Sequence, residues 1–284
     1  MTALPALYLS HGSPMIAMEA SSTQAFLRKL GPAIDRLWGR PRAIVIMSAH
    51  TMQSPAVLGV DTHQTIHDFG GFPPELYALR YDAPGSINVA REVSRLLTTA
   101  GLPTPVIDEP GLDHGIWTAL MHLWPQADVP VVPLALPAQA TPDQLWAMGQ
   151  ALQGLPGDVI VIGSGSLTHN LRRVFQSGRL AAGQKDLPED ADCAAFRAWV
   201  EARAGAGDWA ALRAYRQQAP HAAAIHPTDE HWRPFYLAAG AGTLPASSPA
   251  PGLRLHADVE FGCLAMDAYG FGPGAPLLAQ ALHT

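Results

Sequence analysis

Strand-like apolar runs alternate with amphipathic helical runs along this chain, and that alternation admits few folds. Pro5–Ser10 reads as a strand. It is followed by a helix over Ser22–Trp38, capped at Ser21 or Ser22, with Phe26, Leu30, Ile34 and Leu37 on one stripe. Ala43–Ala49 is apolar on both faces, with Ser48 near its end, as expected of a strand buried on both faces. Further strands are predicted at Ala56–Val60, Pro105–Ile107, Val129–Leu136 and Asp158–Ile162. Further helices are predicted at Asn88–Ala100, Trp117–Leu123, Thr141–Leu155, Asp190–Ala204, Trp209–Gln217 and Glu230–Ala239. Gly240–Gly252 reads as a surface loop, and Leu253–Phe261 with Cys263–Tyr269 as an antiparallel pair around Gly262. Alternation of this kind implies crossover units. The expected architecture is one α/β domain over residues 1–284, with a central mixed, mainly parallel sheet and helices on both faces.

Composition narrows the function classes. Of 284 residues 48% are hydrophobic and only 15% charged, which supports a large core and excludes a disordered tail. The net charge of −6 argues against non-specific binding to nucleic acid or anionic lipid. Cys193 and Cys263 have no CxxC spacing, so both read as buried apolar residues in a reducing, cytoplasmic setting. No signal peptide and no membrane-length apolar run is read. Oligomeric state is not encoded in any pattern.

The chemistry is carried by histidine. Three strand-like segments deliver one at the carboxyl end: His11 after Pro5–Ser10, His50 after Ala43–Ala49, and His169 beyond a glycine-serine turn that follows Val159–Gly163. In an open α/β sheet, ligands bind outside the carboxyl ends of the strands. His114 sits just before a helix, and His231 falls in the first turn of the helix expected at Glu230, with Thr228 or Asp229 as its cap. His67 belongs to a Gly/Pro-rich loop able to close over a site, while His63, His122, His221, His256 and His283 read as structural. Arg80, Tyr81 and Trp117 are candidates for substrate contact or for packing. Three imidazoles around one divalent ion leave positions open for water or substrate. Zinc there would serve a hydrolase, ferrous iron an oxygenase, and a binding protein on the same fold is a third reading; ligand count does not choose.

Seven segments, in order through nearly the whole chain, carry a resemblance. They are Ser-His-Gly-Ser-Pro (10–14), Ser-Ala-His (48–50), Ile-His-Asp-Phe-Gly-Gly-Phe-Pro (66–73), Tyr-Asp-Ala-Pro-Gly-Ser (81–86), Asp-His-Gly-Ile-Trp (113–117), Gly-Ser-Gly-Ser-Leu-Thr-His-Asn-Leu (163–171) and Pro-Thr-Asp-Glu-His (227–231). Together they resemble the DODA-type class III extradiol ring-cleaving dioxygenases, within the superfamily of the protocatechuate 4,5-dioxygenase catalytic subunit. The resemblance implies one divalent metal held by His11, His50 and His231, with Glu230 as the alternative third ligand. It implies His169 as acid–base residue, able also to approach the metal, and His114 as a contact to substrate or oxygen. It implies Fe(2+) for activity, Zn(2+) as an ion such proteins can carry when isolated, and a small catechol and O2 as partners, opened to a yellow semialdehyde.

Overall fold

Four parallel strands form the heart of the structure, a computed structural model that describes residues 3–179, 182–243 and 251–283. They are β1 (Ala6–Ser10), β2 (Ala43–Ser48), β3 (Val131–Pro133) and β4 (Val159–Gly165). β5 (Leu253–His256) and β6 (Ala268–Phe271) complete a six-stranded sheet in the order β3-β2-β4-β1-β6-β5. The β1–β4, β2–β4 and β2–β3 pairs are parallel, whereas β6 runs antiparallel to β1 and to β5. The sheet is thus mixed and mainly parallel, as the alternation predicts.

Side chains of successive strand residues point to opposite faces, so the parallel strands feed two cores. Tyr8, Val45, Met47 and Val161 pack on one face with residues of helices Pro142–Leu152, Ala191–Gly205 and Pro234–Gly242. Leu9, Ile44, Ile46 and Ile162 pack on the other with residues of helices Ser22–Trp38 and His114–Leu123. Local chemistry sets the helix starts. The Ser21 hydroxyl accepts from the Gln24 N–H, and Thr141 forms a reciprocal capping box with Gln144 ahead of Pro142.

Several expectations need correction. The run Val129–Leu136 is not one strand. Only Val131–Pro133 joins the sheet, and Leu136–Pro137 pairs separately with Met52–Gln53, because Pro130 and Pro133 interrupt the ladder donors. Trp209–Gln217 breaks at Ala214 into two short helices. The helix expected from Glu230 begins at Pro234 and ends at Gly242, so neither Thr228 nor Asp229 caps it. Asp229 instead accepts from the Tyr215 hydroxyl at 2.8 Å and pairs with Arg233 at 3.2 Å. Of the loop expected over Gly240–Gly252, residues 244–250 lie outside the described residues. A helix at Ala275–Leu282 is additional. No helix among the described residues is long and apolar enough to cross a membrane.

Candidate active site

β1, β4 and β2 are neighbours and parallel, so their carboxyl ends open on one edge, and there the imidazoles meet. Backbone bonds fix the two strand tips: the His11 N–H donates to the Gly165 carbonyl and the Ala49 N–H to that of Ser164. His11, His50, His114, His169 and His231 all line one cavity of about 380 Å³. His226 does not; it is buried elsewhere, with Nε2 2.9 Å from the Leu167 carbonyl.

The expected glycine-serine turn is a strand. β4 runs through Gly165 because its glycines give the 231–234 turn room to lie on it. A Cβ at Gly165 would sit 1.9 Å from the His231 carbonyl oxygen, and one at Gly163 would sit 2.1 Å from that of Pro234. The same His231 carbonyl accepts from the Tyr8 hydroxyl and the Ser166 N–H, both at 3.0 Å. His231 is therefore held by a turn clamped to the sheet and not by a helix.

Hydrogen bonds on the outer ring nitrogens fix which way the His11 and His231 imidazoles face, and a carboxylate lies near the outer nitrogen of His50. Ser164 donates its hydroxyl proton to the Gly115 carbonyl, so toward His11 it can only accept, from Nδ1–H at 2.9 Å. Glu230 accepts from His231 Nδ1–H at 3.1 Å. Asp68 Oδ2 lies 3.8 Å from His50 Nδ1. His11 and His231 then each present a bare Nε2 lone pair toward His50 Nε2. His50 Nε2 is 3.1 Å from His11 Nε2 and 3.2 Å from His231 Nε2. His50 Nε2 carries at most one proton and so can satisfy only one of the two lone pairs aimed at it, whereas a cation between the rings satisfies all three. Metal–nitrogen bonds of about 2.0–2.1 Å span edges of roughly this length. The donor set and its outer carboxylate and hydroxyl partners thus fit a divalent metal.

Electrostatics agree. Burial, with His50 next in effect, holds His11 well below the ordinary imidazole range, and burial pushes His50 down to about 3. Burial, then His169, does the same to His231. All three are neutral at pH 7, the form that binds metal. His169 stacks on the His231 ring with centroids 3.5 Å apart, and burial lowers it to about 4. It is a free base at neutral pH rather than half-protonated. Two further triples, His11, His50 and His114, and His169, Glu230 and His231, each have their ligand atoms within 4.8 Å of one another.

Asp68 was not singled out by sequence reasoning. It binds His114 twice, through the backbone N–H at 2.9 Å and through Nδ1, which is 3.0 Å from both carboxylate oxygens. Burial raises the Asp68 pKa, but the hydrogen bonds from His114 outweigh this and leave it lowered. The loop that carries Asp68 also supplies Phe69, Gly70 and Phe72 to the cavity, while His67 turns away to the Leu79 carbonyl. Arg80, Tyr81 and Trp117 do not line it. Arg80 pairs with Asp82, and Tyr81 and Trp117 are buried with their polar atoms on the Trp124 and Ile66 carbonyls.

Residues 5–250 match the family model described as the catalytic LigB subunit of aromatic ring-opening dioxygenase. The chain belongs to the LigB family. It is 34% identical over 268 residues to the 4,5-DOPA dioxygenase extradiol of Beta vulgaris, covering 93% of this chain and 95% of that one. It is also 34% identical over 262 residues to the protein of the same name in Escherichia coli K12, covering 89% and 92%. The fold matches the crystal structure of an uncharacterized Escherichia coli K12 protein with a TM-score of 0.73 at 28% identity, covering 95% of this chain and all of the other. This LigB chain is an extradiol ring-opening dioxygenase for catechol-type aromatics, which sets aside the hydrolase and binding-protein readings.

Proposed function

We propose that His11, His50 and His231 hold a single Fe(2+) ion through Nε2, that His169 is the acid–base residue, and that His114 contacts the substrate or O2. One observation carries this reading: the Nε2 atoms of His11 and His231 both close on His50 Nε2, with Ser164 and Glu230 on the far nitrogens of the His11 and His231 rings. Glu230 is then the orienting carboxylate behind His231 and not a ligand, since it meets Nδ1 while Nε2 meets His50. When bound, the ion supplies the electron path between a chelated catechol and O2; zinc cannot exchange electrons and would support binding alone.

The protein's own work is binding, orientation and proton transfer. His169, neutral at pH 7, accepts a phenolic proton as the catechol enters and returns it when the ring opens. Asp68 accepts from His114 Nδ1–H, which leaves His114 Nε2 free to accept a proton or hydrogen bond from the substrate. Phe69 and Phe72 flank the site and restrict water around the ring. A catechol such as 4,5-DOPA, named for the relatives, is one substrate of the right class.

Anaerobic loading with Fe(2+), followed by a catechol and air, tests the reading. Stoichiometric O2 uptake with growth of a yellow chromophore supports it. Ring opening at an undiminished rate in the Fe-loaded His11→Ala protein contradicts it.

A further inference from the structure

Outside the imidazoles, the cavity is lined by apolar side chains and by a single ion cluster. Phe175 and Leu171, on the short helix Leu171–Gln176, line it while being 62% and 42% exposed, so their apolar surface is open to whatever occupies the outer cavity. Met15 and Phe72 add to the same lining. Among the described residues lining the cavity, the charged side chains other than imidazoles are Glu19, Lys185 and Glu260. The Lys185 ammonium lies 2.9 Å from Glu260 Oε1 and 3.3 Å from Glu19 Oε2. One cation between two carboxylates leaves the cluster at net charge −1, with no spare positive charge for a substrate anion. The Glu260 side chain is 7% exposed and anchors the lysine from within the fold.

We infer that this enzyme selects catechols bearing an uncharged, apolar substituent and discriminates against those whose substituent carries a net negative charge. The inference rests on the ring-cleavage reading and names the substrate class of that site. An entering carboxylate meets one ammonium already neutralised by two acids and adds a third negative charge beside them, and like-charge juxtaposition is strongly unfavourable. An amino-acid substituent brings the same carboxylate together with an ammonium that the surplus negative charge attracts, which offsets part of the penalty. An alkyl substituent disturbs none of these pairs and covers Phe175 and Leu171.

The test is anaerobic calorimetric binding to the Zn(2+)-loaded protein, which reads affinity without turnover. Its probes are catechol, 4-propylcatechol, 3-(3,4-dihydroxyphenyl)propanoate and DOPA. The expected result is 4-propylcatechol binding at least about tenfold more tightly than the propanoate, with DOPA between the two. Glu19→Gln frees one face of Lys185 and should narrow that ratio at least about threefold. Phe175→Ala should shrink the advantage of 4-propylcatechol over catechol by about threefold or more. A propanoate that binds as tightly as the propyl compound overturns the inference, as does a Glu19→Gln effect equal on all four probes. Either result leaves the ring-cleavage reading intact, whereas failure of every probe to bind both the Zn(2+) and Fe(2+) forms overturns the two together.

Discussion

Ser164→Ala removes one hydroxyl and should be felt at the metal. Ser164 is fully buried on β4 and joins two groups, accepting from His11 Nδ1–H at 2.9 Å and donating to the Gly115 carbonyl. Without it both are left unpaired in the interior, at a cost of about 1–3 kcal/mol to folding. The second effect is tautomeric. The hydroxyl holds the imidazole proton on Nδ1 and keeps Nε2 bare; its loss lets the proton move to the nitrogen that should bind metal. Outer partners of ligating histidines are typically worth about 10–100-fold in metal affinity. Chelator competition should therefore show weaker Fe(2+) or Zn(2+) binding by that factor, alongside a lower urea midpoint in the metal-free protein. A variant that loses stability but keeps full metal affinity would refute the tautomer argument while leaving the packing argument standing.

Further outcomes follow from the same geometry. His169→Ala should retain stoichiometric metal and lose about 10²–10⁴-fold in kcat; metal loss with normal specific activity per bound ion would make His169 a ligand instead. Gly165→Ala puts a methyl 1.9 Å from the His231 carbonyl oxygen and should destabilise by about 1–3 kcal/mol while weakening metal binding; a wild-type melting curve and metal affinity would show that the turn is free to move. Acid should destabilise the metal-free protein. His63 donates Nε2–H to the Val131 carbonyl while Nδ1 accepts from the Gly111 N–H, and burial lowers it to about 4; burial lowers His226 to about 3. In both, the folded pKa lies below the ordinary 6.5, so only the unfolded chain gains the proton as pH falls beneath that value. Stability is full above about pH 6.5 and drops by about 2 kcal/mol per group by pH 5, readable as urea midpoints at the two pH values.

Periodicity and caps made much of the frame legible. Ser22–Trp38 forms over the residues its apolar stripe marks, and Thr141-Pro142 starts a helix as its chemistry requires. The strands ending at His11 and His50 could be read because a strand-length apolar run that closes on a serine and, within two residues, a histidine has few other uses. The 227–234 segment misled because acidic residues before an apolar run imitate a helix start, while Pro234 fixes the real first position. The glycines of β4 resembled a turn because their purpose, close backbone packing, depends on a segment more than sixty residues away. Ser164, Asp68 and Glu230 were illegible as orienting groups for a related reason. A lone serine declares its role only through its partner, and His11 lies 153 positions from Ser164.

Anomalous diffraction from crystals loaded with one equivalent of Fe(2+) or Zn(2+) addresses the central claim without reference to turnover. A single peak is expected about 2.0–2.1 Å from Nε2 of His11, His50 and His231, with Glu230 still on His231 Nδ1. A peak held instead by His169, Glu230 and His231, or by His11, His50 and His114 without His231, would contradict it.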